Sequence, residues 1–258
     1  MSDPFLGVFI PALFAHLLTD FVFQTDASVH AKHQLPRLIL HGLIAGVLSY
    51  LFIGVISGWE MPVGISLTHI LLDAWKMRSK KGTRLGKFVA DQSGHLIILG
   101  LFSWAAVYKY GSFPGLWVKL FGWPYLLTLT VISGSILSIY VVSFLVELSF
   151  EALGINKRPL APAGEVGIKS QDRVVGIADG GRVIGYLERG LITLFILAGY
   201  PAGIGFLIAA KSVFRFGELT DSNRRWQAEY IIIGTLLSIL FGTTFAFLTA
   251  WIAGIIIP

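Results

Sequence analysis

The sequence contains no cysteine among its 258 residues, and only 14% of its residues are charged. Without cysteine the chain has neither disulfides nor thiolate metal ligands, so any metal would be bound by imidazole nitrogen and carboxylate oxygen. The charged fraction is well below the roughly 25% that is usual for soluble domains. A soluble globular fold is therefore a poor starting hypothesis.

Apolar residues make up 55% of the chain, and the mean hydropathy is +0.74. Several stretches of about 17 or more mostly apolar residues could each cross the roughly 30 Å hydrocarbon layer as a helix. The sequence predicts an all-α polytopic membrane protein with about eight transmembrane helices. They are expected near residues 5–25, 37–56, 62–78, 88–108, 122–150, 182–199, 201–216 and 227–256.

The loops differ in charge when they are assigned alternately to the two sides of the membrane. One side holds only Lys109 and Lys119, whereas the other receives the basic residues of segments 32–37, 76–87, 157–173 and 224–225. The positive-inside rule places the second side in the cytoplasm and both termini outside it. A linker over 154–181, rich in proline and glycine, divides a five-helix domain (1–153) from a three-helix domain (182–258).

Histidine and aspartate recur at a spacing of four residues in three of the predicted helices. The pairs are His16 and Asp20, His69 and Asp73, and Asp91 and His95. This spacing stacks two side chains on one helix face, so that each pair could bind one ion. With His41 early in the second helix, all of these residues fall at a similar depth near the cytoplasmic side, because the helices alternate in direction.

Histidine and aspartate are costly in a membrane helix unless something compensates their polarity, at roughly 2 to 3 kcal/mol or more for a charge. A divalent cation provides that compensation, and the mixed nitrogen and oxygen ligands suit zinc, with manganese or iron as alternatives. The donors outnumber those that one tetrahedral ion needs, so one or two ions fit. The competing interpretation keeps the residues as metal-free hydrogen-bonded His–Asp pairs. The predicted metal ligands are His16, Asp20, His41, His69, Asp73, Asp91 and His95.

Other polar residues lie at the same predicted level. Gln24 and Gln92 could orient a water or a substrate oxygen, or could instead bond helices together. Glu188 and Glu229 are expected to form structural ion pairs, with Arg189 or Lys211 as partners. The predicted substrate-binding residues are Gln24, Lys76, Gln92, Arg189, Lys211 and Arg215, although basic side chains near helix ends also extend to lipid phosphates.

Three motifs together resemble an uncharacterised bacterial inner-membrane family of unknown function: His16/Asp20/Phe21/Gln24, His69/Asp73/Lys76 and Asp91/Gln92/His95. The resemblance covers roughly residues 5–110, and the remainder is similar to C-terminal extensions of some members. More distantly, the repeated HxxxD spacing resembles putative membrane-bound metal-dependent hydrolases and the helical zinc phospholipase C and nuclease group. That resemblance implies a zinc cluster that cleaves phosphate esters. In this chain Asp91 precedes His95, which reverses the order of the pair.

The leading hypothesis is a metal-dependent hydrolase of the bacterial inner membrane that acts on a phosphoester at the cytoplasmic leaflet. One of Asp20, Asp73 and Asp91 would act as the general base. The expected partners are membrane lipid and a phosphate-containing small molecule or lipid substrate, without nucleic acid, and self-association into a homo-oligomer is left open. A divalent-metal or proton-coupled transporter is the alternative, and a non-catalytic membrane scaffold is a third reading.

Overall fold

The computed structural model describes residues 3–23, 35–55, 58–79, 82–111, 115–155, 180–219 and 225–258, without the side chains of 214–219 and 225–228. Over these residues the chain forms eight helices and no strand. The helices are α1 (Leu6–Val22), α2 (Leu35–Ile53), α3 (Glu60–Arg78), α4 (Arg84–Tyr110), α5 (Leu116–Ala152), α6 (Gly180–Leu197), α7 (Gly203–Leu219) and α8 (Arg225–Ile256). The predicted all-helical fold is confirmed, whereas Gln24 and most of the predicted linker lie outside the described residues.

Local signals account for helix ends that differ from the predicted ones. Helix α4 begins earlier than expected, at Arg84, because the Thr83 hydroxyl caps it by accepting from the Gly86 amide at 3.0 Å. Helix α2 ends earlier, at Ile53, because Gly54 takes a φ of 69° that most residues avoid. Helix α5 starts before the predicted segment and contains a break at Gly122, next to Pro124.

In the part of the chain that the structure describes, three helices are long and apolar enough to cross a membrane: Leu35–Ile53, Leu116–Ala152 and Glu229–Ile256. They indicate a membrane protein. Leu6–Val22 and Gly203–Val213 are apolar but shorter. Helices α3 and α4 have sufficient length, but they carry the charged and imidazole side chains of the predicted site, which lower their hydropathy. The predicted number of about eight spans therefore exceeds what length and composition support.

Helices α2 and α3 approach each other closely because α2 presents glycine to α3. A Cβ atom at Gly46 would lie 2.8 Å from the Pro62 carbonyl oxygen and 2.9 Å from Ser66 Cβ. A Cβ atom at Gly42 would lie 2.2 Å from Ile70 Cγ1. Small residues permit this backbone approach within apolar bundles. The contact brings the start of α2, with His41, against the second half of α3.

Helix α1 is the centre of the N-terminal part of the bundle, since it packs against α2, α4 and α5. Its buried face contributes Val8 and Ala12 to an apolar core shared with α3 and α4, and Phe14 and Leu17 to a second core shared with α5. The last turn of α1, Leu18–Val22, is π-helical. Such turns occur often at functional sites, and this one carries Asp20.

Contacts between helix termini show that α3 runs antiparallel to α4, and α4 antiparallel to α5. At one end of the bundle, Glu60 at the start of α3 accepts hydrogen bonds from Lys109 and Tyr110 at the end of α4. These bonds, that from Lys109 first, lower the pKa of Glu60 to about 2. At the other end, Arg84 of α4 contacts Glu151 of α5 at 3.0 Å.

The C-terminal helices pack on the second half of α5. Helix α8 contacts both α5 and α6, and α6 also contacts the π-helical turn Leu137–Val141 within α5. Helix α6 buries one face, formed by Arg189, Ile192, Thr193 and Ile196. This spacing is that of a single helix stripe, so an arginine lies in the same buried row as apolar side chains.

Candidate metal centre

Four histidines from four helices lie together in the N-terminal part of the bundle. The ring centroids are separated by 4.2 Å between His69 and His95, 4.8 Å between His16 and His95, and 4.9 Å between His41 and His69. His16, His69 and His95 are each 3% exposed. The structure therefore brings together the four imidazoles that the sequence predicted to lie at a similar depth.

Asp20 lies at the centre of this group, and its two oxygens face different neighbours. Oδ1 is 3.1 Å from His41 Nε2 and 3.2 Å from His69 Nε2. Oδ2 is 3.3 Å from Gln92 Nε2 and 4.0 Å from His16 Nε2. A carboxylate with this arrangement can contact two ions, one through each oxygen.

Asp91 of α4 is a second carboxylate among the donors, and it is completely buried. Its Oδ2 accepts a hydrogen bond from Lys76 Nζ at 2.6 Å, and its Oδ1 is 3.6 Å from His95 Nε2. Lys76 is partly exposed, so its ammonium group links the buried carboxylate to the rim of the site. The sequence predicted that Lys76 binds substrate, and the structure gives it Asp91 as an additional partner.

Asp73 and Gln92 occupy different positions around the donors. Asp73 is buried, and its Oδ2 lies 3.6 Å from His41 Nε2. Gln92 connects three other site residues, because its Oε1 is 3.2 Å from His16 Nε2 while its Nε2 donates to Asp20 and Asp91. This amide fixes the relative positions of α1 and α4, which is the helix-bonding alternative considered for it from sequence.

Several buried polar atoms of the site have no hydrogen-bond partner among the described parts of the chain. They are His16 Nδ1, His69 Nε2, His95 Nε2 and Asp91 Oδ1. His69 Nε2 is within ion-pair distance of Asp20 Oδ1, but the two groups are not aligned for a hydrogen bond. Buried polar atoms are nearly always satisfied in folded proteins, so such a concentration needs an explanation.

Among the described residues, the donor atoms form three overlapping groups, and all atoms of a group lie within 4.8 Å of one another. These groups are His16, His69 and His95; Asp20, His41 and His69; and Asp20, Asp91 and His95. Each group offers one atom per residue and has the size and composition of a divalent-metal site. Asp73 belongs to none of the three groups. It lies beside them, with its Oδ2 close to His41 Nε2.

The predicted binding residues of the C-terminal helices have other contacts. Arg189 bonds to α5 and α8, and Lys211 Nζ lies 2.6 Å from Glu188 Oε2. The ion pair expected for Glu188 is thus present, with Lys211 as its partner. Glu229 is an exposed residue at the start of α8, and the side chain of Arg215 lies outside the described residues, so their roles stay predictions.

Sequence reasoning missed two features that position polar groups. The π-helical turns at Leu18–Val22 and Leu137–Val141 carry Asp20 and Ile139, whose carbonyl oxygen accepts from Arg189. No residue pattern in the sequence marks such turns. Ser143 and Ser238, which also bond to Arg189, gave no signal because isolated serines are common in apolar helices.

Comparison with known proteins gives one match. No curated protein and no solved structure matches the chain. Residues 8–114 cover nearly all of α1, all of α2 to α4 and every donor of the candidate metal centre. This segment matches the model of a family described as a protein of unknown function, DUF3307.

Proposed function

We propose that this protein is a membrane-embedded, metal-dependent hydrolase that cleaves a phosphoester at the cytoplasmic leaflet. The observation that carries the proposal is the set of partnerless buried atoms contributed by His16, His69, His95 and Asp91. They come from three helices and belong to one cluster of donors. One or two divalent ions bound among these donors would satisfy these atoms.

Energetics favour a metal over a purely structural cluster. A charged side chain costs about 2.5 to 3.5 kcal/mol at the centre of a membrane helix, and an unpaired buried polar group about 1 to 3 kcal/mol. Hydrogen bonds with Gln92 and the ion pair with Lys76 offset part of this cost. Among the atoms that stay unsatisfied, His95 Nε2 lies 3.6 Å from Asp91 Oδ1, and His69 Nε2 lies 3.2 Å from Asp20 Oδ1, distances that a shared ion could bridge.

Zinc fits this set best, with manganese or iron as alternatives, because neutral imidazole and carboxylate are ligands that these metals share. The two oxygens of Asp20 face separate donors, which favours two ions bridged by this carboxylate. His41 and His69 would complete one position. His95 and Asp91 would complete the other, with His16 beside them through the group that it forms with His69 and His95.

A metal at this site would lower the pKa of a coordinated water and polarise a phosphoryl oxygen. The remaining roles fall to residues at the edge of the donors. Asp73 is the best candidate for the general base, since it is a buried carboxylate next to His41 and outside the donor groups. Lys76 holds Asp91 and is partly exposed, so it is the candidate to contact the substrate phosphate.

The proposal includes the topology deduced from charge. All eight helices would cross the bacterial inner membrane, both termini would lie outside the cytoplasm, and the metal centre would lie near the cytoplasmic face. The direct contacts between Asp20, His41, His69 and Asp91 support a common depth for α1 to α4. Helices α3 and α4 would be tolerated in the membrane because their polar groups face each other and the metal.

A divalent-metal transporter is the second candidate, because a fully buried carboxylate such as Asp91 also suits an ion pathway through the bilayer. A transporter needs access to its site from both sides of the membrane. In the described structure the far end of α3 and α4 is joined by Glu60, Lys109 and Tyr110. This contact favours access from the cytoplasmic end alone, and thus the hydrolase.

The first test is the metal content of the purified full-length protein, wild type against His69→Ala. Ser103→Ala is the matched control, since Ser103 is a buried polar residue of α4 whose hydroxyl donates to Leu99 O within the same helix. We expect one or two equivalents of metal in the wild type and the control, and little in His69→Ala. Equally negligible metal in all three proteins would refute both the hydrolase and the transporter. The non-catalytic membrane scaffold would then be the remaining hypothesis.

The second test separates the two remaining functions. Metal-loaded wild type and Asp73→Asn are compared for hydrolysis of bis(p-nitrophenyl) phosphate in detergent and for metal uptake into proteoliposomes. Hydrolysis that Asp73→Asn abolishes while it retains metal supports the proposal. Uptake without hydrolysis would show a transporter.

A further inference from the structure

A cavity separate from the candidate metal centre lies between the end of α5 and the start of α6 and α8. Its volume is about 740 Å³, within the range of small-molecule sites. None of its lining residues belongs to the metal centre. One part of the wall is apolar and includes Val146, Phe150, Ile184 and Ile231.

Arg189 supplies a buried positive charge to the wall of this cavity. Its Nε and Nη2 donate to the Ile139 carbonyl oxygen at 3.2 and 2.9 Å, Nη2 also donates to Ser143 Oγ, and Nη1 donates to Ser238 Oγ. All of these acceptors are uncharged. Among the described residues, no carboxylate lies within 4 Å of the guanidinium group, which has one further N–H on Nη1 available for a ligand.

The fold prepares the position of Arg189. The stem of the side chain passes over Gly242 of α8, where a Cβ atom would lie 3.2 Å from Arg189 Cγ. Gly185 leaves similar room beside Nη1. The guanidinium is therefore fixed in one place, with its Cζ 5.5 Å from the centre of the Tyr186 ring, and no carboxylate of the described residues forms an ion pair with it.

The other charged residues that line the cavity do little to compensate the positive charge of Arg189. Glu188 is paired with Lys211 at 2.6 Å, and Glu151 is paired with Arg84 at 3.0 Å. Arg182 also lines the cavity and has an interaction of its own, and Glu147 is an exposed carboxylate. A buried charge without a counter-ion is costly in an apolar bundle, and an anion in the cavity would remove that cost.

We propose that this cavity binds an anionic amphiphile, with a phosphate or carboxylate head at Arg189 and an apolar tail against Phe150 and Ile231. The site is separate from the metal centre and does not depend on its activity. The cavity contains both a buried positive charge and an apolar wall. Free phosphate would contact the charge and leave the apolar wall without a partner, so an amphiphile fits the cavity better. A zwitterionic head would leave the charge of Arg189 less well matched.

Binding to full-length protein in detergent tests the proposal with four probes: lysophosphatidate, palmitate, lysophosphatidylcholine and inorganic phosphate. We expect at least one of the two anionic amphiphiles to bind, and lysophosphatidylcholine and phosphate to bind at least about tenfold more weakly. The tighter of lysophosphatidate and palmitate identifies the head group. Equal binding of the anionic and zwitterionic lysolipids, or tighter binding of free phosphate, would overturn the proposal.

Two variants locate the site. Arg189→Gln should weaken binding of the anionic amphiphile by about tenfold or more, as expected for loss of a charged hydrogen-bond partner. Thr235→Phe leaves Arg189 in place and fills the cavity, so it should abolish binding even if Arg189→Gln fails to fold. Leu236→Phe, on the exposed face of the same helix, is the matched control. Unchanged binding in Thr235→Phe would show that the ligand lies elsewhere, and His69→Ala should bind as the wild type does.

Discussion

Asp20→Asn is the substitution that most directly tests the arrangement of the metal centre. Asparagine keeps the shape of the side chain but removes its charge and turns one oxygen into a donor. In the structure, Oδ1 faces His41 and His69 at 3.1 and 3.2 Å, whereas Oδ2 faces Gln92 and His16. Since the two oxygens face different donors, the substitution should weaken both of the proposed metal positions.

The expected size of the effect follows from the contacts that are lost. An interaction with a charged group contributes about 1.5 to 3 kcal/mol, and a factor of ten in affinity corresponds to about 1.4 kcal/mol. Asp20→Asn should therefore weaken the binding of each ion by about ten- to a hundredfold. Asp91→Asn should weaken only the position shared with His95, because Asp91 contacts neither His41 nor His69 among the described contacts.

The assay is a zinc titration of metal-stripped, detergent-purified protein against a fluorescent chelator, which gives stoichiometry and affinity together. Thr19→Val is the control, since Thr19 is buried beside Asp20 but its hydroxyl donates to Ala15 O within α1. Zinc affinity in Asp20→Asn equal to that of the wild type would refute a role for this carboxylate. Loss of one ion with full retention of the other would refute the bridge and leave a metal site.

Three further predictions concern stability, measured as thermal unfolding in detergent. Chelation by EDTA should lower the unfolding midpoint of the wild type but not that of His69→Ala. The reason is that a bound ligand at a hundred times its Kd stabilises the folded protein by about 2.7 kcal/mol, which chelation removes. Equal shifts in the two proteins would contradict a metal at this site. Gly46→Leu should destabilise by about 1 to 3 kcal/mol or more, because its side chain would collide with the Pro62 carbonyl; an unchanged midpoint would contradict the close contact of α2 and α3. The pKa of Glu60 is depressed to about 2 by Lys109, so its stabilisation is present above pH 4.5 and disappears as the pH falls toward 2. The difference in unfolding midpoint between the wild type and Glu60→Gln should therefore shrink over that pH range. A difference that grows as the pH falls would contradict the pairing of Glu60 with Lys109.

The fold was predictable because long apolar segments between charged loops leave few alternatives to helices. Most of the cluster was predictable for a related reason: the spacing of His16 and Asp20 fixes a shared helix face, and alternation of helix direction brings His41 and His69 to the same level. These are properties of periodicity and connectivity alone. They required no knowledge of how the helices pack.

Features that depend on tertiary packing could not be predicted in this way. Lys76 and Asp91 lie on different helices, and nothing in either segment indicates that they pair. The prediction that Arg189 binds the same substrate as the metal centre followed from depth alone. The structure instead gives Arg189 partners on α5 and α8, because a π-helical turn within α5 places the Ile139 carbonyl beside it. The level of a residue along the bundle can be read from the sequence, but its position around the bundle cannot.

The extent of the family match bears on where the chemistry resides. Residues 8–114 contain the complete donor set, with the ion pair of Lys76 and Asp91 and the bridging amide of Gln92. The cavity around Arg189 is built entirely from residues beyond that segment. If the metal centre performs the reaction, it can do so with the four helices of the matched segment, and the C-terminal helices can supply a separate ligand site. The chelator titration and the lysolipid binding assay should then respond to separate sets of substitutions, and a single substitution that abolished both in folded protein would show that the two sites are one.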